Sequence, residues 1–406
     1  MMLTILSPLH IGNGEELTPA DVYPGKEVLH VIDTEKLLND LVAMGADLDE
    51  IVYYLKNPSG STYIWKHYMD KYHLNPGNYA LYSLRIHGGI GKRSSQIKTF
   101  IKLNGKPYVP GSSIKGAIRT AVLYKVLKEC GSTTKVSNML LGASENLRNL
   151  ASRISDPRNS DVIDYYLFFI RSTKQRQKID TKNADELLEA LVFGFEGTSR
   201  YPNITYEPKK DPMRALLVRD SAPFGFKHLS LYRVDVIGNP QPIPIWLEAL
   251  DEEASTEIEI KVNEEELKLG KNYFNGLLWE CLKEQNPQRP WESFEEFVWD
   301  AVDEFYHALI EAELKGSYKF KSHKKEVEAF YTSLKRFNGH LMRLGWGTGW
   351  VGMTIGMILM EKGWKWENVR RELGLGRKPR GREFSKDFPK TKRLVNGKPM
   401  GWVVLR

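Results

Sequence analysis

Two cysteines in 406 residues, Cys130 and Cys281, supply no disulfide framework and form no CxxC pair. Nine histidines contain no HExxH and no other ligand spacing, so neither a metal nor a structural zinc is expected. No apolar run comes near the roughly 18 residues of a membrane span. The opening "MMLTILSPLHIGNGEEL" lacks a basic n-region and a long apolar h-region. It does not read as a signal peptide, and the expectation is a cytoplasmic chain without membrane contact. The P-loop pattern is missing. A GxGxxG match at Gly347, Gly349 and Gly352 has no βαβ unit around it, so no nucleotide cofactor is expected. Internal repeats and low-complexity tails are also absent.

What is present is a long, soluble-type chain: 41% hydrophobic, 27% charged, net charge +7 and pI near 9.0. The length suits two domains, drawn here as 1–213 and 214–406. The basic balance fits an anionic partner. "EVLHVIDTEKLLNDLVAMG" reads as a strand entering a helix, capped by Asp33 or Thr34. Residues 132–213 are polar and mostly helical, like an insertion. "IPIWLEALDEEASTEIEIKV" reads as a β-hairpin with an acidic connection, 263–340 as a helical block, and "PMGWVVLR" as a last strand. Strands and helices mix without βαβ regularity, which predicts an α+β architecture.

Four stretches could carry chemistry. In "YVPGSSIKGAIRTAVLYKVLKE" (108–129) a helix begins with open backbone at Gly111, with Ser112 or Ser113 as N-cap. Lys115 and Arg119 lie four apart on one side, and Gly116 would admit a neighbouring backbone. Free N–H groups, the helix dipole and two cations would seat a phosphate; a plain capped helix is the competing reading. In "GWGTGW" (345–350), an extended chain would put Gly345, Gly347 and Gly349 on one face and Trp346, Thr348 and Trp350 on the other. Such a loop lets phosphates approach N–H groups while rings stack bases; the competing reading makes the tryptophans core. "HIGNG" (10–14) offers Gly12 and Gly14 in a turn, and His10 as an RNA contact, a general base or a structural histidine. "RKPRGREFSKDFPKTKR" (377–393) has eight basic residues against two acidic ones; Arg380, Arg382, Lys390, Lys392 and Arg393 are its candidates for backbone binding. Lys92, Arg93 and Lys98 join the same set.

These stretches together resemble the RAMP superfamily of CRISPR proteins, and within it the family of fifth Csm subunits of type III-A effector complexes. The carriers are "SPLHIGNG", "YVPGSSIKGAIRTAVL", "VRDSAPF", "WLEALDEEASTEIEI", "RLGWGTGW" and "PKTKRLVNGKPMGWVVL", in order across nearly the whole chain. The resemblance implies an RRM-like (ferredoxin-like) core with large helical insertions, and allows a second, degenerate RRM-like half. It implies a non-catalytic subunit that binds CRISPR RNA on the guide's 3′ side, is needed for guide maturation and antiviral defence, and touches neighbouring Csm backbone subunits and a host trimming nuclease. The RNP1 aromatic consensus of ordinary RRMs is missing, which favours backbone readout by loops. Two alternatives remain: a metal-independent RAMP endoribonuclease using His10 as base, and a structural adaptor that contacts only proteins.

Overall fold

The computed structural model describes all residues except 57–62, 89–95, 176–185, 200–201, 239–244, 378–382, 387 and 390. Two sheets organise the chain. The smaller is antiparallel, in the order Ser255–Glu257, Met2–Ile5, Trp402–Leu405, His340–Arg343. The larger runs Gly12–Leu17, Ile97–Phe100, Ile245–Leu250, Leu229–Ile237, Ala80–His87, Val28–Ile32, Val22–Pro24. Its two parallel pairings, Ala80–His87 with Leu229–Ile237 and Ile97–Phe100 with Ile245–Leu250, join early strands to late ones. The α+β expectation with helical insertions holds. The line at 213/214 runs through both sheets, because each combines strands from either side of it.

The expected helix after "HVID" forms as Thr34–Ala43, and the Asp33 carboxylate accepts the Lys36 N–H at 3.1 Å. The expected hairpin at 243–262 does not form. Ile245–Leu250 stays in the larger sheet, Ser255–Glu257 pairs with Met2–Ile5, and Ile260–Val262 pairs with Leu216–Val218. The acidic turn between them carries the chain from one sheet to the other. Glu253, in left-handed backbone, donates its N–H to the Ile5 carbonyl at 2.8 Å.

Helix Gly111–Cys130 runs through the core, with Ile114, Ile118, Ala121 and Val122 fully buried, and packs on the long helix Phe294–Lys315. Burial of each of the isoleucines and the valine contributes about 1.5–3 kcal/mol. Cys130, its last residue, is disulfide-bonded to Cys281 of helix Leu277–Gln285, with Cα atoms 6.2 Å apart. Sequence spacing alone showed no such pairing. A satellite core lies under the edge strands, around Leu37, Ile51, Trp65 and Tyr68.

Candidate nucleic-acid interface

Three of the four stretches converge. The first strand ends at Ile5, and the turn that follows carries His10 inside, 2% exposed. The His10 Nδ1 lies 2.6 Å from the Glu248 carbonyl oxygen, so that nitrogen carries the proton. Burial lowers the His10 pKa to about 4; the carbonyl bond opposes this, and Lys98 and Lys102 add to it. Its imidazole is neutral at physiological pH and fills the core edge-on to Phe100 and Trp346. A direct RNA contact and a general-base role for His10 are both corrected by this burial. Glu248, fully buried, anchors the turn: it accepts the Phe100 N–H at 2.7 Å and the Tyr82 hydroxyl at 2.6 Å, and pairs with Lys102. Gly12 and Gly14 begin the exposed strand Gly12–Leu17, and Lys98 on the neighbouring strand pairs with Glu16 at 2.7 Å.

The glycine loop 345–350 lies against this turn. Trp346 donates its N–H to the His10 carbonyl at 2.8 Å. A Cβ on Gly345 would sit 2.2 Å from the same oxygen, so only glycine permits the approach. The extended reading of the loop is corrected: Gly345, Gly347 and Gly349 have φ of 71°, 103° and 79°. The left-handed backbone breaks the expected alternation of faces. Both tryptophans are half-buried: Trp350 stacks on Trp366 at 5.4 Å, and Trp346 packs edge-on to His10. Arg343 stiffens the loop from below, donating to the Met400 carbonyl at 2.9 Å and the Gly347 carbonyl at 3.1 Å. Arg343 was not anticipated; its place before "LGWGTGW" was the available signal.

The basic stretch meets the loop at Lys392 and Arg393, across a cavity of about 30 Å³. Lys392 is bound to the buried Glu313, with Nζ 2.7 Å from one oxygen, so it neutralises an internal charge. The Arg393 guanidinium lies over the Trp346 ring, 4.2 Å from its centroid. Among the described residues its Nε has no hydrogen-bond partner, and half-burial lowers its pKa below the ordinary arginine value. A cation from the strand Lys392–Val395 and a ring from the glycine loop are thus held together, with the Arg393 Nε buried beneath them. Lys92, Arg93, Arg380, Arg382 and Lys390 lie outside the described residues.

The helix start at 111–119 is a separate place, and the phosphate seat read there is corrected. Pro110 is the N-cap, so Ser112 and Ser113 fall inside the first turn. The Gly111 N–H is taken by the Asp220 carboxylate at 2.8 Å, and Ser221 accepts the Val109 N–H at 2.9 Å. Gly111, rather than Gly116, admits a neighbouring backbone: its Cβ would meet the Val218 carbonyl at 2.4 Å, whereas Gly116 faces open space. Lys115 donates to the Leu216 carbonyl at 2.7 Å, and Arg119 pairs with the buried Asp211 beneath Phe193 and Tyr206. Both cations are engaged inside the fold.

Against known proteins, the family model of the RAMP superfamily matches residues 2–352. The chain is 24% identical to "CRISPR system Cms protein Csm5" of Methanocaldococcus jannaschii over 91% of its own length and 74% of that protein's. Its structure is similar to the crystal structure of T. onnurineus Csm5: 53% identity, full coverage of both chains, TM-score 0.84. A chain of a cryo-EM Csm–crRNA–target RNA ternary complex of a type III-A CRISPR-Cas system is similar as well. It is 52% identical, covering 100% of this chain and 99% of that one, with a TM-score of 0.86.

Proposed function

The chain belongs to the RAMP superfamily and, within it, to the Csm5 family, and on that footing we propose that it binds CRISPR RNA as a subunit of a type III-A Csm effector ribonucleoprotein. The observation that carries the local reading is the Trp346–Arg393 pair on the glycine loop. The left-handed glycines hold the loop backbone in tight turns, and the half-buried Trp346 ring carries the Arg393 guanidinium on its face, so a cation and a ring lie together beside the loop backbone. The reading extends to a non-catalytic role in the cytoplasm on the guide's 3′ side, in guide maturation. Neighbouring Csm subunits are lasting partners and a host trimming nuclease a passing one. One observation supports a role in holding RNA rather than cutting it: His10, the candidate base, is 2% exposed and packed inside the fold. Among the described residues no helix is long and apolar enough to cross a membrane.

Photocross-linking tests this placement. An assembled complex is loaded with guides carrying one photoreactive nucleotide at successive positions. Adducts on 345–350 and 392–393 are expected from 3′-side nucleotides. Adducts from the 5′ tag alone would reverse the placement.

A further inference from the structure

A second cleft lies outside this interface. Helices Val162–Gln175 and Trp364–Glu372 pack side by side and enclose a cavity of about 560 Å³. On the first helix Asp164, Phe168 and Arg171 follow at four- and three-residue spacing and so share a face; on the second, Trp364 and Asn368 do the same. Two large rings therefore face a cleft and remain open: Trp364 is 71% and Phe168 56% exposed. Lys365 on Asp164 at 2.6 Å ties the two helices within the cleft, and Lys362 pairs with Asp161 just ahead of both helices, so the opening is built into the fold.

The rim is basic. Arg153, Arg158, Arg171 and Lys365 line the cleft against Asp156 and Asp164. Arg158 is 85% exposed and its partner Asp156 lies on the same turn; Arg171 is half exposed against Glu372. Arg158 holds Asp156 through two hydrogen bonds, at 2.8 and 2.7 Å, on the open side of the cleft. An exposed single-contact pair such as Arg171–Glu372 holds its cation weakly, about 0–1 kcal/mol, so an arriving phosphate can compete for Arg171 and share the exposed Arg158. Open rings beneath an arginine rim suit a base on the ring and its phosphate on the rim.

We propose that this cleft binds one nucleotide of single-stranded RNA, with the base against Trp364 and Phe168 and the phosphate on Arg158 and Arg171. Trp366 lies on the same helix as Trp364 and stacks on Trp350 of the glycine loop. The cleft and the loop thus flank one helix, about 10 Å across, and RNA leaving the loop reaches the cleft within a few nucleotides. The inference rests on the reading that the chain binds RNA, and deepens it by adding a second contact.

The test uses the full chain and a fluorescein-labelled oligouridylate twelve nucleotides long, followed by anisotropy, with Trp364→Ala/Phe168→Ala beside Trp346→Ala. Both cleft side chains are largely exposed, so their removal leaves the core intact; thermal melting checks this. The double variant is expected to bind about tenfold more weakly, in line with loss of base stacking, and Trp364→Phe to bind as wild type. If the double variant binds as wild type while Trp346→Ala weakens, the cleft proposal fails and the RNA-binding reading stands. If wild type does not bind at all, both fail. If the double variant binds RNA normally but no longer assembles with its neighbouring subunits, the cleft belongs to a protein partner and the proposal is overturned.

Discussion

His10 should make the fold acid-sensitive over a defined range. Its pKa falls from 6.5 to about 4 on folding, mainly through burial. A base whose folded value lies below its unfolded value favours the folded state while it is neutral. That contribution is complete above about pH 6.5 and is lost as the pH falls toward 4. The gap sets a limit of about 3 kcal/mol, of which about 2.5 kcal/mol is gone by pH 4.5. His10→Asn removes the titration and keeps an amide N–H near the Nδ1 position to meet the Glu248 carbonyl. Urea unfolding of both proteins at pH 7.5 and 4.5 gives two pH-dependent losses, and their difference isolates His10 from the carboxylates they share. Wild type should lose about 2.5 kcal/mol more than the variant. Equal losses would refute a buried, neutral His10.

Two further outcomes follow from buried contacts. Arg119→Ala leaves Asp211, 3% exposed, without its counter-charge. It should cost about 3 kcal/mol in thermal or urea unfolding, while a folded Arg119→Lys variant keeps wild-type RNA affinity; a large loss of binding in that variant without loss of stability would restore the phosphate seat. The Cys130–Cys281 bond closes a span of 151 residues, for which chain entropy gives at most about 5 kcal/mol. Reductant, or Cys281→Ser, should therefore lower Tm by several degrees. An unchanged Tm, with two thiols titrated in the untreated protein, would show that the bond does not form.

The α+β class, the Asp33-capped helix and the last strand could all be read from periodicity and capping residues, which act locally. The hairpin reading failed because strand partners are chosen across the whole chain: Ser255–Glu257 pairs with Met2–Ile5. The same limit governs the site. Lys115 and Arg119 looked available because their partners, the Leu216 carbonyl and Asp211, lie 101 and 92 residues away. The glycine spacing in "GWGTGW" marked a special backbone, yet the alternation rule assumes extended φ, and three left-handed glycines remove that premise. Glu248 was open to detection as a carboxylate inside the apolar run "IWLEAL". Phe168 and Trp364 come to line one cleft only through helix packing, and no spacing between them signals it.

The central claim is that RNA lies on the loop where Arg393 covers Trp346. Its most direct measurement is the salt dependence of guide-length single-stranded RNA binding by wild type, Arg393→Ala and Trp346→Ala. Loss of one phosphate contact should make the slope of log affinity against log salt shallower by about 0.7 for Arg393→Ala. Trp346→Ala should keep the slope and bind about tenfold more weakly at every salt concentration. Wild-type affinity and slope in both folded variants would contradict the account.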